Sequence, residues 1–86
     1  MREFVAYIVQ HLVDHPAAVE VTDERAEDGR VLYRLRVDPR DVGKVIGKAG
    51  KTAQALRVLL VAAAARRGQR ARLVIVEERS DQSEHA

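Results

Sequence analysis

The run Val42-Gly43-Lys44-Val45-Ile46-Gly47-Lys48-Ala49-Gly50-Lys51-Thr52 decides how the rest of the chain is read. Its two glycines at 47 and 50 join a short apolar segment to a long one. Glycine accepts positive φ and, lacking Cβ, lets another backbone come close. Upstream, Asp38 and Pro39 suit an N-cap and a first helical position, so a short helix is expected from Arg40 to about Ile46. Downstream, a longer helix is expected from Lys51 or Thr52 to about Arg67, with Gly68 as its stop. The loop then faces a helix N-terminus, where unpaired N–H groups and the positive end of the dipole gather. Lys48 and Lys51 add ammonium groups beside it. The expected site is a phosphate cradle made mostly of main chain, comprising Lys44, Val45, Ile46, Gly47, Lys48, Ala49, Gly50, Lys51 and Thr52.

Outward from the loop, the order of elements reads α-β-β-α-α-β. Phe4, Val5, Ile8 and Leu12 form an apolar stripe on a helix expected from Arg2 to Asp14, which Pro16 ends. Val19 to Thr22, extending toward Arg25, alternates like a half-buried strand, and Asp28-Gly29 marks a turn. Val31 to Val37 is a second strand, antiparallel to the first, and Arg70 to Val76 a third, reached by a crossover through both helices. The fold class is α+β: one domain over residues 1–78 with a three-stranded sheet packed against three helices, and a frayed polar tail at 79–86.

At 86 residues the core is thin. The longer helix nonetheless carries more apolar surface than one buried stripe needs. Ala53, Leu56, Leu60, Ala63 and Ala64 supply the stripe, and Val58, Leu59, Val61 and Ala62 cover much of the rest, so part of this surface is expected in a dimer interface. Phe4 and Tyr7 are expected in the core or an interface, and Tyr33 in the sheet.

Net charge is only +2, but its distribution is uneven. Residues 40–72 hold nine basic groups against Asp41 alone, or +8, while residues 1–39 and 73–86 are each −3. A positive segment between negative ones suits a polyanionic partner. The acidic stretch Asp23-Glu24-Arg25-Ala26-Glu27-Asp28 runs against this, so it either points away from the site or limits it to a short ligand.

Several classes fail on composition. Cysteine is absent, which removes disulfides and thiol chemistry. A Walker A loop needs glycine where Val45 stands, and so does the dinucleotide fingerprint. Asp41 is the lone acidic candidate for a magnesium ligand near the loop. His11 and His15 lie four apart without a third metal ligand, and the only serines, Ser80 and Ser83, cannot build a hydrolase triad. No enzyme, cofactor or metal is expected. Phe4, Tyr7 and Tyr33 all lie outside the basic segment, which argues against modules that stack bases on aromatic side chains. No signal peptide or membrane span is evident, and a cytoplasmic protein is expected.

The stretch Gly43 to Thr52 resembles the [VI]-I-G-x-x-G core of KH domains, and the element order resembles their bacterial type II arrangement. Tyr7 to Pro16, the valines around Glu20, and Ala55-Leu56-Arg57 before the alanine-rich helix end extend that likeness to small single-domain bacterial members. It covers about residues 1–78. The resemblance implies a clamp on single-stranded RNA in an RNA chaperone or post-transcriptional regulator. It further implies self-association, pairing with a second KH-containing protein, and in some bacteria a tie to cell elongation and division. In this setting Lys44, Lys48 and Lys51 supply charge, and amides near residues 48–51 hold phosphate oxygens. Val45, Ile46 and last-strand residues such as Val74 or Val76 floor the bases. A protein–protein adaptor that keeps the fold for dimerisation, or a ribosome-associated assembly factor, would use the same architecture.

Overall fold

The computed structural model describes residues 1–77, so the expected tail at 79–86 lies outside the described residues. Helix α1 spans Arg2–Gln10, strands β1 and β2 span Glu20–Arg25 and Val31–Arg36, helices α2 and α3 span Val42–Ile46 and Lys51–Ala65, and strand β3 spans Ala71–Val76. Tight single turns at Pro16–Ala18, Pro39–Asp41 and Lys48–Gly50 complete the described chain. The sheet runs β1-β2-β3, with β1 antiparallel and β3 parallel to the central β2. This is the expected α+β order.

The alternation written into β2 organises the core. Val31, Tyr33 and Leu35 are buried on one face, level with Ala71, Leu73 and Ile75 of β3. Against that face pack Val5 and Val9 of α1, Val45 of α2, and Ala53, Leu56, Leu60 and Ala64 of α3. Strand β1 adds no fully buried residue; its Val21 is only partly covered. The Tyr33 hydroxyl donates to Gln69 Oε1 at 3.4 Å, and burial, with Asp23 nearby, raises its pKa.

Three local expectations change. Helix α1 stops at Gln10, not Asp14: its last turn tightens through His11 N–H to Ile8 O and Leu12 N–H to Val9 O, and the chain then leaves. Beyond that turn the His15 amide bonds to the buried Asp41 carboxylate at 2.9 Å. The buried line on α1 is accordingly Val5 and Val9, while Phe4 is 40% and Tyr7 65% exposed, so neither belongs to the core. The expected helix from Arg40 to Ile46 is divided into a tight turn at Pro39–Asp41 and α2. The Asp38 side chain caps that turn on the Arg40 amide.

Candidate functional site

The loop between α2 and α3 is held from both sides. Val45 has no exposed surface, so it anchors α2 in the core and cannot touch a ligand, contrary to its expected place on the floor; Ile46 stays partly exposed. On the far side, Asp41 is 1% exposed and its Oδ2 accepts from both the His15 amide and the His15 Nδ1–H, each at 2.9 Å. Burial alone would raise the Asp41 pKa, but the hydrogen bonds from His15, with a share from the Asp14 amide, hold it below the ordinary value of 3.8. Asp14 also pairs with Lys44 at 3.4 Å across the same gap, an exposed contact of about 0–1 kcal/mol. Two contacts therefore fasten the segment after α1 to the base of α2, which carries the loop. Asp41, read from sequence only as a poor magnesium ligand, and His15, read as surface, are the residues that sequence reasoning missed. The one available signal was that Asp41 is the sole acid among nine basic residues.

Within the loop the two glycines do different work. Gly47 (φ 79°) closes α2, its amide bonding to Gly43 O, and a Cβ there would overlap the side chain of Thr52. Gly50 (φ 74°) has no heavy atom within 4 Å of the position a Cβ would take. The space opened by a missing side chain is thus filled from inside at Gly47 and free at Gly50. Thr52 acts as the loop's support. Ala49 also sits at positive φ (56°), a conformation that costs a non-glycine residue about 1–2 kcal/mol. The Gly50 amide bonds to Gly47 O and the Lys51 amide to Lys48 O, whereas the amides of Lys48 and Ala49 have no hydrogen-bond partner among the described residues. Lys48 and Lys51 are exposed, and neither has a carboxylate partner among the described residues. Unpaired donors and unpaired cations converge at the start of a 15-residue helix. Such an arrangement holds an anion.

The walls differ from the sequence reading. Side chains of β3 alternate, so Ala71, Leu73 and Ile75 face the helices, while Val74, 37% exposed, faces the open side of the sheet with Arg72. Val76 shares that open side, lining a hollow with Glu20, Thr22, Arg34 and Arg36, so neither valine floors the loop's side of the molecule. What β3 offers α3 is its edge: Arg57 Nε donates to Leu73 O at 3.4 Å. The acidic hairpin lies elsewhere. Its β2 end, Val31, bonds to Arg70 O beyond the far end of α3, roughly 22 Å along the helix from the loop. Three of its four carboxylates are matched by arginines: Asp23 with Arg2, Glu24 with Arg34, and Asp28 with Arg30. Among the described residues no group of three His, Asp or Glu side chains could hold a metal, and no helix is long and apolar enough to cross a membrane.

Comparison with known proteins agrees with this architecture. The family described as "KhpA/KhpB, KH domain" matches residues 2–75. Relatives named RNA-binding protein KhpA include those of Chlamydia pneumoniae, 43% identical over 79 residues, and of Halalkalibacterium halodurans, 46% identical over 78. The Listeria monocytogenes protein of that name is 42% identical over 77 residues. These alignments cover 92%, 90% and 90% of this chain and the whole of each relative. No solved structure gives a significant match.

Proposed function

The chain belongs to the KhpA/KhpB KH-domain family, a non-enzymatic family of RNA-binding proteins, and from that premise we propose that it grips single-stranded RNA at residues 47–51. The observation that carries the reading is the pair of unpartnered amides at Lys48 and Ala49, beside Gly50 and the free Lys48 and Lys51 ammonium groups. A sugar-phosphate chain lies against the bare backbone at Gly50, and the amides and lysines satisfy its phosphate oxygens. Main-chain donors do not distinguish bases, so the clamp itself is indifferent to sequence. Lys44 extends the track, its contact with Asp14 being weak enough to exchange for a phosphate.

The role that follows is that of a cytoplasmic RNA chaperone or post-transcriptional regulator. Self-association, and pairing with a KhpB-like KH protein, are part of the same proposal. The exposed Leu59 supports it: it stands one helical turn before Ala63, which lines a hollow with Met1 and Phe4.

Fluorescence-polarisation titration with a short single-stranded RNA at two salt concentrations tests the clamp. Binding should weaken with salt through counterion release. An affinity indifferent to salt, or no binding, would favour a protein–protein adaptor.

A further inference from the structure

Charge divides the chain after β3. From Val42 to Val76 the sequence holds no carboxylate, whereas residues 77–86 hold Glu77, Glu78, Asp81 and Glu84 against Arg79 alone. The family match ends at residue 75, short of these acids. Two contacts between α3 and β3 fix where they leave the fold. Gln69 N–H meets Ala64 O and Arg57 Nε meets Leu73 O, so β3 climbs as α3 descends. Four residues of extended chain rise about 13 Å from Leu73 to Glu77. Seven residues of helix run about 10 Å from Arg57 back to Gly50. Glu77 therefore leaves β3 level with the loop. It is exposed and has no ion-pair partner among the described residues. On the open face of the sheet, Arg34 and Arg36 already face Glu24 and Glu20. On the loop, Lys48 and Lys51 face no carboxylate among the described residues.

We propose that residues 77–86 dock on this loop, their carboxylates taking the place of phosphate beside Lys48, Lys51 and the unpaired amides, so that the chain carries its own competitor for RNA. The inference rests on the RNA reading above. Nine residues follow Glu77 and span up to about 30 Å when extended, so reach does not limit the contact. A segment tethered this closely acts at an effective concentration of about 1 mM. Exposed carboxylate–lysine contacts are individually weak and salt-sensitive, so the loop is only partly filled and RNA affinity falls by about two- to fivefold. A strand bringing several phosphates displaces the segment, whereas a single small anion is held off. The contact thus favours RNA strands over small phosphate ligands.

The test neutralises the segment in the full chain with Glu77→Gln, Glu78→Gln, Asp81→Asn and Glu84→Gln together, unchanged thermal unfolding showing that the variant folds. In polarisation titrations with a short single-stranded RNA, the variant should bind about two- to fivefold more tightly at about 50 mM salt. The difference should vanish at about 500 mM salt, where screening is stronger. Without RNA, the NMR amide signals of residues 48–51 should differ between the two proteins. Absence of RNA binding by both proteins overturns the RNA reading and this one together. Equal RNA affinities overturn this one alone. So does tighter binding with no change at residues 48–51, which marks general charge repulsion. Changes confined to Arg34 and Arg36 seat the segment on the open face of the sheet, and changes that grow with protein concentration assign the contact to a second copy of the chain; either overturns it.

Discussion

Two glycine turns in this molecule reverse the chain with opposite results. At residues 26–30 the hairpin closes on itself: Ala26 N–H bonds to Arg30 O, Gly29 N–H to Ala26 O, and Arg30 N–H to Asp28 Oδ1. Asp28 is paired with Arg30 at 3.2 Å, and Glu27 stands beside it. At residues 47–50 the loop bonds only at its margins, leaving two amides and two lysines unmatched. Glycine and positive φ are common to both, so neither marks a binding site. Each also leaves two amides without a partner among the described residues, Glu27 and Asp28 in the hairpin and Lys48 and Ala49 in the loop. The distinguishing property is charge: carboxylates stand beside the first pair and two unmatched lysines beside the second.

That comparison can be broken or sharpened by substitution. The largest effect is expected for Gly47→Ala, where unfavourable φ and overlap with Thr52 add, lowering stability by about 3 kcal/mol in denaturant titration. Next, a Lys48→Asp, Ala49→Asp double variant should bind single-stranded RNA about 100-fold more weakly, roughly 2.7 kcal/mol, with an unchanged fold. Aspartate tolerates the left-handed conformation found at Ala49, so this variant tests charge and not folding. Undiminished binding would leave the open loop no different in kind from the hairpin.

Gly50→Ala and Gly29→Ala form a matched pair, since each has positive φ and free space. Both should cost about 1–2 kcal/mol of stability, and only Gly50→Ala should also weaken RNA binding. Equal RNA affinities would erase the distinction between the turns.

The smallest effect concerns acid. The folded-state pKa of Asp41 lies below its ordinary 3.8, so its stabilisation is complete at neutral pH and is lost as pH falls through and below that value. Melting curves should therefore show wild type losing a few degrees more than Asp41→Asn between pH 6 and pH 3. Parallel curves would mean that the carboxylate does not fasten α2.

Much of the fold was legible in the chain because its signals are local. The alternation of β2, the Asp38-Pro39 start, the glycine pair and the Gly68 stop each act within one turn or one strand. The loop and its lysines were legible for the same reason. Assigning Val45 and Val74 to a ligand floor failed because exposure depends on which side of an element is covered. Val45 is enclosed by the core, and Val74 alternates onto the open face of β3. Pro16 marks only an upper limit for α1, which closes earlier in a tight turn at His11 and Leu12, while the His15 amide bonds to a carboxylate 26 residues away.

By itself, then, the sequence determined the order of elements, the α2–loop–α3 cradle and the acid-free basic stretch around it. Only the tertiary structure decided that Thr52 fills the gap at Gly47 while Gly50 stays open, that Asp41 is a buried fastening, and that Arg57 reaches the edge of β3. Helix, strand and turn preferences are set by neighbours a few residues apart. These other features arise between groups brought together by packing, across 26 residues for His15 and Asp41 and 16 for Arg57 and Leu73.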